Sequence, residues 1–193
     1  MERQRQISEW IERLAPGRPF TLAPASADAS FRRYLRATFD DGTTRIVMDA
    51  PPSHEDVRPW LHVQRLFHDA GAHVPEVFAT DLDRGFLLLS DLGATTYLAA
   101  LTEANADEHY RAAIDALIRI QLASRPNELP PYDRALLQRE LDLFPDWYLA
   151  QHLKLTLSES QSSQLAAVFE KILAVNLAEP AVYVHRDYHS RNL

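Results

Sequence analysis

Apolar residues recur at helical spacing over Glu2–Leu14, where Ile7, Trp10, Ile11 and Leu14 share one face and Pro16-Gly17 ends the run. Residues 31–39, FRRYLRATF, read as a strand; Asp40-Asp41-Gly42 is a turn signal, and Thr44–Asp49 completes a hairpin. A helix over residues 55–70 carries Val57, Leu61, Leu66 and Phe67 and stops at Gly71. Two further strands, 77–80 and 86–90, are joined by the turn DLDRG.

After Gly93 the period changes to helix. Asn105 and Glu108 have the spacing of a capping box, and the helix behind them is expected to bury Tyr110, Ile114, Leu117, Ile118 and Leu122. Residues 130–153 read as one or two helices, broken or kinked near Pro145. Ser158 and Gln161 form a second capping box, opening a helix with Leu165, Val168, Phe169, Ile172 and Leu173. Residues 181–184, AVYV, are expected to form a short buried strand feeding the terminal run VHRDYHSRNL. Strands therefore cluster before the seam at Ser90-Asp91-Leu92-Gly93 and helices after it, which predicts an α+β fold. The expected divisions are residues 1–90, a connector at 91–94, and residues 95–193.

Composition narrows the function. An apolar share of 46% with mixed charge describes an ordinary folded chain. The net charge of -7 argues against a nucleic-acid partner, since phosphate backbones are held through a Lys and Arg excess. With no cysteine, disulfides, thiolate zinc sites and cysteine nucleophiles are excluded. No apolar run reaches the roughly 20 residues of a membrane span, and the N-terminus lacks a signal-peptide pattern, so a cytoplasmic protein is expected.

The terminal run admits three readings. His185, Asp187 and His189 alternate, so an extended backbone would set three metal-ligand types on one face. A plain surface turn would use Asp187 and Asn192 to bond nearby backbone. The third reading follows from spacing: His-Arg-Asp, four residues, then Asn, which is the pattern of a kinase catalytic loop. Phosphoryl transfer needs a carboxylate beside the attacking hydroxyl, and Asp187 fits; it also needs oxygen ligands for magnesium, and Asn192 offers one. His185 would support the loop, and Arg191 could meet the transferring phosphate or an anionic group of the substrate.

The stretches ASFRRYLR, IVMDAPP, HVPEVFATD, GFLLLSDLG, LPPYDRALLQRELDLFPDWYLAQHL and VHRDYHSRNL resemble the aminoglycoside phosphotransferase-like kinases. Within them the likeness is to anomeric sugar kinases acting on N-acetylmuramate and N-acetylglucosamine, in cell-wall recycling. The resemblance implies a two-lobed protein-kinase-like fold, with a small antiparallel-sheet lobe that binds nucleotide and a helical lobe. It implies ATP and Mg2+ as cofactors and a small sugar as substrate. Backbone around Leu89, Ser90 and Asp91 would hold adenine, and SADASFRRY, with Ser30, would cover the phosphates. Glu140, Asp142 and Trp147 become candidates for sugar contacts.

This chain departs from the family pattern in several places. Many members carry His-Gly-Asp where it has His185-Arg186-Asp187. The phosphate-covering segment has no glycine, only small residues such as Ser26, Ala27, Ala29 and Ser30. The phosphate-gripping lysine is missing from its strand, which reads Ile46-Val47-Met48-Asp49; the only lysines are Lys154 and Lys171. Arg32 or Arg33 could replace it, and alternation puts them on opposite faces. Nothing follows Leu193, where the fold carries a second magnesium-binding Asp. The resemblance thus predicts an incomplete helical lobe with apolar surface left uncovered. On that expectation the 193 residues alone would be an inactive nucleotide-binding fragment or pseudokinase-like module. A kinase for another small alcohol, such as choline or an aminoglycoside, is the alternative for the intact protein.

Overall fold

The computed structural model describes residues 2–27 and 31–193, without the side chains of Ser26 and Ala27. Two compact units emerge: residues 1–123 with 185–193, and residues 124–184. The first unit thus takes in the helices after the connector and the terminal run.

The first unit is built on an antiparallel sheet of β1 (Phe20–Ala27), β2 (Arg33–Phe39), β3 (Thr44–Asp49), β4 (Val77–Asp81) and β5 (Phe86–Ser90), in the order β1-β2-β3-β5-β4. β5 sits between β3 and β4 and is apolar from Phe86 to Leu89, because both of its faces are covered. On one face Phe86 and Leu88 join Ala37, Phe39 and Val47 against Ile7, Trp10 and Ile11 of helix α1 (Glu2–Leu14). On the other, Leu87 and Leu89 join Met48, Ala50 and Val57, with Trp60 and Leu61 of helix α2 (Arg58–Asp69) packed beside them. The expected helix over 55–70 therefore begins later, with Pro59 in its first turn, where a missing N–H costs nothing.

Asp49 is the one charged side chain fully buried among the described residues. Arg3 Nε of α1 donates to its Oδ1 at 2.8 Å, and Arg33 Nε of β2 donates to its Oδ2 at 3.1 Å; a second nitrogen of each arginine joins the same oxygen. Arg3 also donates to the Arg84 carbonyl at 2.8 Å and lies over the Phe86 ring. These contacts staple α1 to the sheet in addition to its apolar face.

The turn between β4 and β5 is closed by Gly85, at φ +69°, whose carbonyl accepts from Ala50 N at 2.9 Å. A Cβ there would lie 1.8 Å from the Ala50 carbonyl oxygen. Gly85→Ala is expected to lower the unfolding midpoint, because the clash adds to a left-handed backbone costing about 1–2 kcal/mol. A thermal melt matching the parent would contradict this.

Helix α3 (Tyr97–Ala100) and helix α4 (Ala106–Leu122) complete the first unit. Two expectations fail at α4. Asn105 does not cap it: the Asn105 backbone is already helical, its Oδ1 accepts from Thr102 N at 2.7 Å, and its Nδ2 donates to the Ala100 carbonyl at 3.0 Å. Its side chain is thus engaged by the preceding turn. Nor does α4 bury the expected stripe, since Tyr110, Ile114, Ile118 and Leu122 are exposed and the buried residues are Ala113 and Ile120. The covered strip lies one residue off the apolar maximum.

The second unit holds α5 (Arg134–Leu143), a π-helix (Phe144–His152) and α6 (Glu159–Ala178). Asp133 caps α5, its carboxylate accepting from Leu136 N at 3.0 Å. The break expected near Pro145 takes the form of the wider π-turn, with Leu153 N donating to the Tyr148 carbonyl at 2.9 Å. The capping box of α6 forms as its sequence predicts: Gln161 N donates to Ser158 Oγ at 3.3 Å, and Ser158 N to Gln161 Oε1 at 2.9 Å. Phe169 and Leu173 are buried, while Val168 and Ile172 remain exposed. Residues 181–184 are not a strand. Tyr183 N donates to Ser124 Oγ at 2.8 Å, so this backbone is satisfied by a side chain and has no ladder to join; Val182 and Val184 are exposed.

Candidate active site

Residues 185–193 form an irregular loop tied to the first unit by backbone. Tyr97 N donates to the Leu193 carbonyl at 2.7 Å and Leu98 N to the Ser190 carbonyl at 2.8 Å, so the opening of α3 holds the loop. The Tyr188 hydroxyl donates to the Ala113 carbonyl of α4, and burial raises its pKa. Arg186 takes a left-handed conformation at φ +71°, which a glycine would adopt without strain. That conformation turns the chain between His185 and Asp187.

The loop brings three side chains together. Asn192 Nδ2 donates to Asp187 twice, to its carbonyl at 2.9 Å and to Oδ2 at 2.7 Å. His189 Nε2 lies 3.0 Å from Asp187 Oδ1. Asp187 is exposed, so these contacts hold it where packing does not. With two carboxylate oxygens and about four lone-pair positions, it retains capacity for an incoming hydroxyl. His185 packs differently: its ring stacks on Phe67 of α2 at 6.1 Å and meets Tyr188 edge-on at 5.3 Å. Burial lowers its pKa, against the pull of Asp187, and its Nδ1 is buried without a hydrogen-bond partner. Burial thus favours its neutral form.

The donor set suits magnesium more than a metal held by protein alone. Asn192 turns its amide nitrogen to Asp187, so Oδ1 is the end left to face a cation. Among the described residues no group of three or more His, Cys, Asp or Glu is placed to hold a metal. One neutral oxygen accords with an ion bound mostly by phosphates and water.

At the connector, Ser90 N donates to the Glu76 carbonyl at 2.9 Å and Ser90 Oγ accepts from Glu76 N at 2.9 Å, while Leu89 is buried in the sheet. Backbone beyond β5 therefore begins at Asp91. Arg36 of β2 reaches across β3 to this turn: Nε donates to Asp91 Oδ2 at 2.6 Å, and Nη2 to Oδ1 at 3.1 Å and to the Gly93 carbonyl at 3.3 Å. Gly93 N also donates to Asp91 Oδ1, at 2.9 Å. The hydrogen bond from Arg36 is the main reason the Asp91 pKa falls from 3.8 to about 2. Folding therefore favours the charged form, and Asp91 adds stability at every pH above its unfolded value. As pH falls from about 4 toward 2, the unfolded chain binds the proton first and this contribution is lost. Asp91→Asn is expected to be less stable than the parent at pH 7, with the gap narrowing below pH 4, in urea unfolding at successive pH values. A gap independent of pH would contradict the pairing.

A model of the phosphotransferase enzyme family, APH, matches residues 21–193. The chain belongs to this family. It is 50% identical over 175 residues to an N-acetylmuramate/N-acetylglucosamine kinase of Pseudomonas aeruginosa, covering 91% of this chain and 52% of that protein. It is 43% identical to the protein of the same name from Neisseria meningitidis, covering all of this chain and 58% of that one. The chain thus spans about half the length of the curated relatives it matches. Among solved structures, the ADP-bound aminoglycoside phosphotransferase APH(2'')-Ib superposes with a TM-score of 0.61 at 16% identity, over 97% of this chain and 64% of that one. A streptomycin–ATP complex of APH(2'')-IIa gives 0.57 at 16% identity, over the same shares. The fold is the protein-kinase-like fold of these phosphotransferases.

The other candidate positions of this family member are spread over both units. Ser30 lies outside the described residues. Arg33 is spent on Asp49, on the face of the sheet that carries α1. Arg32, just before β2, is half-buried and has contacts of its own. Arg191 is exposed on the loop, and its backbone N–H donates to His189 Nδ1 at 3.2 Å. Glu140 and Asp142 sit half-buried on α5, where Gln138 Nε2 donates to Asp142 Oδ1 at 2.7 Å; Trp147 is exposed on the π-helix. Sequence reasoning missed Arg36, whose pairing with Asp91 links positions 55 apart, and gave His189 only a metal role. The position of His189 two residues from Asp187 is the signal that was there to use.

Proposed function

We propose that the intact protein is an ATP- and magnesium-dependent sugar kinase that phosphorylates the anomeric hydroxyl of N-acetylmuramate or N-acetylglucosamine. The carrying observation is the Asp187 carboxylate, exposed yet fixed by Asn192 on a loop anchored to α3 and α4. The names of the relatives, at up to 50% identity, support the sugar.

Asp187 would accept the hydroxyl proton as the sugar oxygen bonds to the γ-phosphorus and the bond to the departing ADP oxygen breaks. An anomeric hydroxyl is more acidic than an ordinary alcohol, so a single carboxylate is an adequate base. Asn192 Oδ1 would hold magnesium, which supplies positive charge to the phosphates when bound. The turn from Asp91 to Gly93, fixed by Arg36, would present backbone groups to adenine. Arg32 is the better placed of the two arginine candidates for phosphate, because Arg33 is committed to Asp49 on the α1 face. Arg191 would meet substrate or phosphate charge, and Glu140, Asp142 and Trp147 would contact the sugar.

Incubating the natural full-length protein with ATP and either sugar should yield the sugar 1-phosphate, detected by phosphorus NMR. Phosphorylation of choline or an aminoglycoside, with neither sugar accepted, would overturn the substrate and keep the kinase.

A further inference from the structure

We infer that His189 is a positioning residue, which holds Asp187 in its reactive orientation through a ring tautomer fixed by the backbone. The inference rests on Asp187 being the catalytic base.

Arg191 N–H points at His189 Nδ1, 3.2 Å away, and a backbone N–H can only donate. Nδ1 must therefore present its lone pair, which puts the proton of the neutral ring on Nε2. That nitrogen lies 3.0 Å from Asp187 Oδ1, which sets its polar N–H beside the carboxylate. Asn192 Nδ2 stands 3.5 Å from the same Nε2 and donates to Asp187 Oδ2. They take different oxygens, His189 at Oδ1 and Asn192 at Oδ2.

Two holds are needed because the carboxylate is 71% exposed. A carboxylate gripped at one oxygen still turns about its last side-chain bond, whose torsional preference is broad. A second donor on the other oxygen stops that rotation and leaves the remaining lone pairs aimed at one place. The bond from Asn192 N to the His189 carbonyl, at 2.9 Å, closes the turn that puts both donors on the same side. Loss of such positioning costs rate on the order of 10–100-fold without loss of nucleotide binding.

The test measures kcat and KM for ATP and N-acetylglucosamine in the full-length protein carrying His189→Ala, His189→Gln or His189→Asn, with Asp187→Ala as the reference. His189→Ala should lower kcat about 10- to 100-fold with KM for ATP little changed. His189→Gln, whose amide nitrogen reaches about as far as Nε2, should recover most of the rate. His189→Asn, whose amide sits nearer the Nδ1 position, should not. Unchanged kcat in His189→Ala, or a Gln variant as slow as the Ala variant, overturns the inference. So does a raised magnesium requirement at unchanged kcat, which would mark His189 as a metal ligand. If Asp187→Ala itself keeps its rate, the base assignment fails first.

Discussion

Asp187→Asn is expected to lower kcat of the full-length protein in the proposed sugar-kinase reaction by about 10²–10⁴-fold, the usual contribution of a positioned general base. The change is isosteric and removes charge; the amide keeps one oxygen, so either Asn192 or His189 still has an acceptor there and the other loses one. What disappears is the proposed acceptor of the sugar hydroxyl's proton. KM for ATP should change little, because the turn at Asp91 and the strand before it are untouched. Steady-state assays with N-acetylglucosamine decide the matter. A variant within a few-fold of the parent would mean that Asp187 orients the hydroxyl but does not accept its proton.

Replacing both Arg3 and Arg33 by Met is the second large effect. Asp49 is fully buried, whereas Arg33 is largely exposed and Arg3 partly so. Removing the arginines strands a carboxylate away from water, a loss of about 3–5 kcal/mol for a broken buried pair. Asp49→Asn should cost less, since the amide oxygen can still accept one bond and the arginines can turn to solvent. Urea unfolding of the three proteins tests the order. If Asp49→Asn proves the worse, the apolar grip of Ile7, Trp10 and Ile11 is sufficient to hold α1, and the role of the cluster lies in Asp49 alone.

These effects trace what the amino-acid pattern discloses. The β2–β3 hairpin was legible because its turn, Asp40-Asp41-Gly42, stands between two runs of strand formers. The α6 capping box was legible because both its bonds are local. β1 left almost no trace: it is an edge strand with Pro24 and small residues, and its register slips between Pro24 and Ser26. Residues 181–184 carried the composition of a strand without a neighbour to pair with. The spacing of Asp187 and Asn192 was legible as chemistry, while the part of His189 depends on a turn closed from Asn192 back to residue 189. Asp49 reads in sequence as the polar end of a strand. Only packing shows that Arg3, far along the chain, is its partner.

The return of residues 185–193 to the first unit bears on biogenesis. A ribosome releasing about 5–20 residues per second must synthesise the entire second unit before α3 can meet Ser190 and Leu193. The sheet and its helices can therefore assemble early, whereas the carboxylate, its two holding side chains and their anchors arrive together several seconds later. Nascent chains would pass through an interval in which the sheet is folded and residues 185–193 are not yet in place.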